Sequence, residues 1–337
     1  MKRSNESHIT LAHGNGGRRM RALISEIFIR YLGNASLDPD CDAVTLPFPH
    51  AELLFSTDGF TVDPLEFPGG DIGSLAIHGT VNDLAVSGAT PQYLSLNTFI
   101  EEGLEIAQLM RIIKSMGCAA QACGVKVVAG DTKVVRRGEG SGLYLATSGI
   151  GVKATTQRVA ISQIRGDDAI IVSGPIGDHG TAVLLAREQF GLQGELKSDA
   201  ASVVPITNTL LKFSGLRFMR DPTRGGVATV LHEIHRSTGL GVHLQQTAIP
   251  VRDEVASVCE ILGYDPLYLA CEGRVVAVID QTQADAALRA LQRLYDGREA
   301  AIIGNLSSHT PYVMLETPLG GQRIVEELED DPLPRIC

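Results

Sequence analysis

The sequence predicts an α/β protein, with α and β elements mixed, in two domains followed by a flexible C-terminal tail. Short runs rich in Val, Ile and Leu alternate with longer stretches of helical periodicity in both halves of the chain. A polar stretch, Lys153 to Asp168, separates the halves. The run Glu326-Glu327-Leu328-Glu329-Asp330-Asp331-Pro332 is too charged to pack, which predicts a mobile tail. The expected units are residues 1–153, 165–325 and a mobile tail, 326–337.

The elements follow in order. Leu53 to Thr57 reads as a strand ending at Asp58-Gly59, and Ile72 to Val86 as a helix of small apolar residues. Tyr93 to Phe99 is a strand, and Leu104 to Cys123 an amphipathic helix. Val125 to Ala129 is expected as a short buried strand ending at Gly130-Asp131-Thr132, with another strand from Leu143 to Ile150. In the second half, strands are expected at Ala169–Ser173, Val242–Leu244, Arg274–Ile279, Ala301–Ile303 and Tyr312–Leu315. Helices are expected after Gly180 to Phe190, from the Gly225-Gly226 pair through Ser237, and over Asp253–Leu262 and Gln283–Leu294.

The length of 337 residues suits about two domains. Hydrophobic residues at 44% and charged residues at 20% allow a packed soluble core, which Val, Ile, Leu and Ala must fill because Trp is absent. A net charge of −10 argues against general binding of nucleic acid or anionic membrane, though not against a local phosphate site. No apolar stretch is long enough to span a bilayer, and Met1 to Glu6 leads into no apolar signal region. Cys41, Cys118, Cys123, Cys259, Cys271 and Cys337 are scattered with no C-x-x-C pair. That pattern fits a reducing cytoplasm rather than a zinc knuckle or a disulfide scaffold. Cys118 and Cys123 are expected as small core residues of a helix.

The sequence closes on Pro334-Arg335-Ile336-Cys337, which offers a thiol at the end of a polar lead. A thiolate is a strong nucleophile and a carrier of acyl-type groups. The alternative is a frayed terminus that happens to end in Cys; a prenyl signal is excluded because it needs the Cys four residues from the end. Asp58 and Asp131 each follow an apolar strand beside a Gly, and Asp83 lies in an otherwise apolar helix. Carboxylates so placed are candidate Mg²⁺ ligands for a metal–phosphate site; singly, each fits a cap or a turn. Lys133 follows Asp131 by two residues and is a candidate to neutralise charge or relay a proton. Three glycine-bearing segments can meet phosphate at a helix start: His13-Gly14-Asn15-Gly16-Gly17, Ser173 to Gly180 with Gly177, and Asp221-Pro222-Thr223-Arg224-Gly225-Gly226. None is a Walker loop. His232-Glu233-Ile234-His235 misses zinc-protease spacing by one residue and reads as a helix surface. Glu272, between an apolar run and Gly273, is a general base or a turn carboxylate.

Read together, these segments resemble the HypE family of hydrogenase-maturation proteins over nearly the whole chain. The resemblance rests on His13 to Gly17, Phe55 to Gly59, Asp63 to Gly73 with Asp71, His78 to Leu84, Gly130 to Val134, Asp221 to Gly226 and Pro334 to Cys337. The wider superfamily resembles aminoimidazole-ribonucleotide synthetase, selenophosphate synthetase and thiamine-phosphate kinase. The resemblance implies the two-domain aminoimidazole-ribonucleotide synthetase-like fold, a homodimer paired through its N-terminal sheets, and ATP near that interface. It implies that a carbamoyltransferase, HypF, loads the Cys337 thiol. ATP-dependent dehydration then gives a protein thiocyanate, whose cyanide passes to hydrogenase iron on the HypC and HypD scaffold.

In that scheme Asp58, Asp83 and Asp131 hold Mg²⁺, Lys133 and Glu272 remove the nitrogen protons, and Asn82 orients the carbamoyl group or the metal. Gly14, Gly16, Gly17, Asp71, Gly177, Asp221, Thr223 and Arg224 are the expected nucleotide contacts. An ATP-dependent small-molecule kinase or synthetase is the alternative enzyme, and a thiol carrier with a structural nucleotide site the non-enzymatic one.

Overall fold

A computed structural model of the chain describes residues 17–23, 25, 44–48, 51–153, 159–187 and 195–329. Gly14, Gly16 and Cys337 lie outside these residues, as does the expected end of a helix at Phe190. A short helix α1 (Arg18–Leu23) precedes strands β1 (Val44–Phe48) and β2 (Ala51–Phe60). A small hairpin, β3 (Glu66–Phe67) and β4 (Gly70–Asp71), leads into helix α2 (Ile72–Val86). Strand β5 (Ala89–Glu101), helix α3 (Ile106–Cys123), β6 (Lys126–Val135) and β7 (Leu143–Lys153) complete the first half. The sheet order is β1-β2-β7-β5-β6.

The pleat sorts this sheet's side chains. Leu54, Ser56 and Phe60 of β2 and Leu143, Leu145 and Thr147 of β7 are buried on one face, where α2 packs. The other face presents Phe55, Ile150 and Tyr93 as an exposed row in register across β2, β7 and β5, with Phe99 further along. Strand β6 corrects an expectation: it runs on through Gly130 to Val135, and Val128 is 61% exposed rather than buried. The cause is its place at the sheet edge, with β5 as its only strand neighbour among the described residues.

Helix α2 begins where the Asp71 carboxylate accepts the Gly73 and Ser74 N–H groups at 2.7 and 3.0 Å, while Ser74 reaches back to the Asp71 N–H. Every residue of α2 is buried except His78 and Asp83, because it is packed on all sides. Its C-terminal Ala85 and Val86 join the core of the second half.

Although part of the His78 ring stays accessible, its Nδ1 is buried with no hydrogen-bond partner among the described residues, and this desolvation holds the pKa down to about 4. The unfolded chain takes up a proton there below about 6.5, whereas the folded one does not until near 4. Stability from this group is therefore complete above pH 6.5 and lost as pH falls toward 4, by about 3 kcal/mol. Urea unfolding at pH 7 and pH 4.5 should show this loss shrinking in His78→Gln; an equal loss in both proteins would refute it.

The second half carries β8 (Ala169–Val172), α4 (Asp178–Ala186), α5 (Val204–Leu210), β9 (Leu216–Arg220), α6 (Gly226–Thr238) and β10 (Gly241–Gln245). Next come α7 (Asp253–Leu262), β11 (Val276–Ile279), α8 (Gln281–Leu291), β12 (Ala301–Ser307), β13 (Val313–Glu316) and β14 (Gln322–Ile324). The strand order is β14-β13-β10-β12-β8-β11-β9. Ile170 and Val172 meet α6 on one face, and Ala169 and Ile171 meet α8 and the end of α2 on the other, so this sheet is covered on both sides.

Two further expectations change. The acidic run does pack at its start: Glu327 pairs with Arg21 and Arg236, Glu329 with Arg18, and the Tyr268 hydroxyl donates to the Glu326 carbonyl at 2.7 Å. Three arginines on α1 and α6 supply the countercharge that the run lacks by itself. Cys118 is exposed and Cys123 half-buried rather than in the core, since α3 turns Ile112, Met116, Ala119 and Ala120 inward instead. The helix-surface reading of the two histidines on α6 is refined: His232 Nε2 bonds the Val325 carbonyl at 2.9 Å and His235 Nδ1 the Leu240 carbonyl at 2.8 Å.

Candidate active site

A cleft of ≈190 Å³ opens where the two halves meet. Its walls come from β2 (Thr57, Asp58, Gly59, Phe60), α2 (Gly79, Asp83), the loop after β9 (Asp221, Thr223, Arg224) and the loop before β11 (Glu272). Gly79 eases this crossing: a Cβ there would stand 2.7 Å from the Phe60 ring, so any other residue would force that buried ring to shift. That approach brings Asp58 and Asp83 to one cavity. Ser56 Oγ donates to Asp83 Oδ2 at 2.6 Å, and the Gly59 N–H donates to Asp58 Oδ1 at 2.7 Å. Arg224 Nη2 stands 4.0 Å from Asp58 Oδ1.

The far wall is braced from beneath. Arg220 grips Glu233 through Nε and Nη2 at 3.2 and 2.9 Å, which fixes the end of β9 just before Asp221. The Cys271 N–H donates to the Pro222 carbonyl at 3.0 Å and ties this loop to the one bearing Glu272. Glu272 is 4% exposed. Burial drives its pKa far up, and the neighbouring Asp221, Asp199 and Asp58 carboxylates push the same way against Arg224.

Four carboxylates thus face one small cavity, a donor set of oxygens that suits a hard divalent cation. Among the described residues no three His, Cys, Asp or Glu side chains converge as a ready-made metal cage. Carboxylates so arranged suit a cation that takes one or two of them and completes its shell with other oxygens.

Of the residues singled out by sequence, Asp58, Asp83, Asp221, Thr223, Arg224 and Glu272 meet in this cleft. Others do not. Asp131 stands in the register row of Asn97, Ala146 and Gly59, not in that of Asp58, and two strands intervene between β2 and β6; its side chain lies outside the described residues. Lys133 pairs with Phe99 on the exposed face, whereas Asp58 belongs to the helix-covered face. The same pleat that separates Phe55 from Leu54 places Lys133 away from the cleft of its own chain. The Asp71 carboxylate caps α2. Gly177 lies in a wholly buried segment with its N–H donated to Cys271 Sγ at 3.2 Å, so it has no open phosphate cradle. Gly17 sits against the carbonyls of Leu328 and Glu329.

Asn82 has a different task from the one expected. It is 1% exposed, and its Nδ2 donates to the carbonyls of Ala201 and Glu272 at 3.0 and 3.2 Å while Oδ1 accepts the Val203 N–H at 2.9 Å. It clamps backbone from the second half and holds Glu272 from behind. Sequence reasoning passed over Ser56, Phe60 and Gly79. A glycine in the middle of an apolar helix, beyond Gly73 in its first turn, is the sequence signal for the last.

Two family models match: the AIR synthase related protein N-terminal domain over residues 40–153 and its C-terminal domain over residues 165–313. The chain is 44% identical over 331 residues to carbamoyl dehydratase HypE of Azotobacter vinelandii, covering 98% of this chain and 97% of that protein. The chain belongs to the HypE family. Solved HypE-family structures share its fold. One, from a crystal structure of a HypE–HypF complex, has TM-score 0.86 and 41% identity, covering 91% of this chain and 100% of that one. Another, a HypE in complex with ATP, has TM-score 0.81 and 42% identity, covering 98% and 100%. The cleft of this HypE-family chain lies between the two matched segments, with Asp58 and Asp83 in the first and Asp221, Arg224 and Glu272 in the second. No helix among the described residues is long and apolar enough to cross a membrane.

Proposed function

We propose that the chain uses ATP to dehydrate a carbamoyl group carried on its own Cys337 thiol to a thiocyanate, supplying cyanide for nickel–iron hydrogenase. The observation that carries this reading is the meeting of Asp58, Asp83, Asp221, Glu272 and Arg224 in one cleft, in a chain 42% identical to a HypE solved with ATP. The reaction balances. The carbamoyl oxygen leaves in phosphate, the nitrogen gives up two protons, and a C≡N group remains on sulfur. An amide-type oxygen leaves only after it is phosphorylated, so the site must position phosphate and neutralise its charge. Mg²⁺ held by the cleft carboxylates would supply that neutralisation.

Asp58 and Asp83 would hold it, with the Asp83 carboxylate bonded by Ser56 Oγ. Arg224 lines the same cavity and meets a transferring phosphoryl group from the other side. Positive charge there draws Glu272 back to its ionised form, in which it accepts a proton from the carbamoyl nitrogen. Residues 1–153 serve as the ATP-binding and dimerisation domain, 165–325 as the second domain, and the segment from 326 as the carrier. With Glu329 held by Arg18, the eight residues from Asp330 to Cys337 reach at most roughly 28 Å.

The row Phe55, Ile150 and Tyr93, with Phe99, is an apolar face suited to a second copy of the chain, which supports the homodimer. HypF is the proposed donor of the carbamoyl group, in line with the related chain solved with HypF. HypC and HypD are the proposed recipients, and a cytoplasmic setting suits the thiol chemistry.

The test is mass spectrometry of the C-terminal peptide after incubation with HypF, carbamoyl phosphate and ATP. A carbamoyl mass should appear on Cys337, and the mass of one water should then be lost only with ATP. Neither change should occur in a chain ending at Ile336. ATP turnover that proceeds equally without Cys337 would instead indicate a kinase or synthetase with a free substrate.

A further inference from the structure

The strap of chain 195–203 crosses from the second half to the first. The Ser198 N–H donates to the Pro68 carbonyl at 2.8 Å, and Ser198 Oγ bonds His179 Nδ1 at 2.8 Å. Between these anchors and Asn82 lies Asp199, whose side chain is 1% exposed. Its two carboxylate oxygens accept two consecutive backbone N–H groups, Glu272 at 3.3 Å and Gly273 at 3.1 Å. Arg274 Nε stands 3.5 Å from the same carboxylate and balances its charge. The approach is too close for any side chain at 273, since a Cβ there would stand 1.9 Å from the Asp199 carbonyl oxygen. The Glu272 peptide is thus held at its N–H by Asp199 and at its carbonyl by Asn82, and the strap that carries Asp199 also supplies the Ala201 and Val203 partners of Asn82.

We infer that Asp199 is a positioning residue for the reaction: its carboxylate fixes the backbone of Glu272 so that the Glu272 side chain enters the cleft beside Asp58 and Asp221. The inference rests on the dehydration reading for the use of the cleft, but not for the placement itself. Asp199 touches no reacting atom; it acts through Glu272. The geometry needs an acceptor at both oxygens. In Asp199→Asn an amide NH₂ replaces one of them and opposes a backbone N–H, so one of the two bonds is lost and the loop shifts. Asp199→Glu keeps the charge beside Arg274 but displaces the carboxylate by one methylene.

The experiment follows water loss from carbamoyl-loaded protein under ATP in the wild type, Asp199→Asn, Asp199→Glu, Glu272→Gln and the double variant Asp199→Asn/Glu272→Gln. Each Asp199 variant should slow the step roughly 10- to 100-fold with the ATP KM changed by less than about threefold, as misplacement of a reacting group does. In the Glu272→Gln background, Asp199→Asn should add almost nothing, because the group it positions is already lost. An additive loss in the double variant, an unchanged rate, or failure of both Asp199 variants to fold would overturn the inference. Amide exchange of the peptide spanning Glu272 and Gly273 should quicken in Asp199→Asn while α2 stays protected; no change there would also overturn it. Wild-type protein that loses no water under ATP would sink the reaction reading alone, and amide exchange would then decide the placement.

Discussion

Asp83→Asn is expected to accept the carbamoyl group on Cys337 as the wild type does, yet to lose water from it at least about 100-fold more slowly, the scale set by removal of one charge-stabilising group. The substitution preserves volume, and the amide can still bond Ser56 Oγ, which now holds the carboxylate at 2.6 Å. What disappears is one negative charge of the cleft, and with it much of the affinity for a hard cation. The loading step needs only the thiol and the partner transferase, so it should be spared. Parallel mass spectrometry of loaded and dehydrated C-terminal peptides reads both steps. Equal impairment of the two would contradict the metal role given to Asp83.

Glu272→Gln should slow dehydration by about 10²- to 10⁴-fold, the usual contribution of a positioned general base. The same change should make the free protein more resistant to heat at pH 7. The Glu272 pKa is raised well above its ordinary value by burial and by three nearby carboxylates. For an acid with a raised folded pKa, the stability contribution is complete below the unfolded pKa and is lost as pH climbs through the folded one. A neutral glutamine escapes that penalty. Melting curves at pH 5 and pH 7, set beside single-turnover rates, test both halves of the expectation. A variant that is slower and less heat-resistant at pH 7 would show Glu272 to be a structural carboxylate.

Much of this arrangement is readable before any coordinates. The apolar stretch from Ile72 to Val86 predicts a buried helix, and the lone acid Asp83 in it predicts a partner or a cation; both follow from the cost of an unpaired buried charge. Asp221, Thr223 and Arg224 announce themselves by an Asp-Pro turn and a glycine pair at a helix start. Strand order is another matter. Asp58 and Asp131 look equivalent in sequence, since each follows an apolar run beside a glycine, but the order β2-β7-β5-β6 and a one-residue register difference separate them. Register is set by pairing across the sheet, which no local pattern records. Strand β9 is not legible in the sequence because Arg217 and Arg220 interrupt its apolar run; both are held by distant acids, Asp280 and Glu233. Asp199 carries no motif at all, and its role arises from two N–H groups more than seventy residues away.

The Asn82 clamp has a mechanical consequence. Rotating the two halves apart would break the bonds of Asn82 to the Val203 N–H and to the Ala201 and Glu272 carbonyls, at about 0.5–1.5 kcal/mol for each bond exchanged for water. The clamp therefore biases this seam toward the closed arrangement. While the clamp is closed, a visitor to the chamber enters by the rim that the clamp leaves free and meets walls already assembled from both halves.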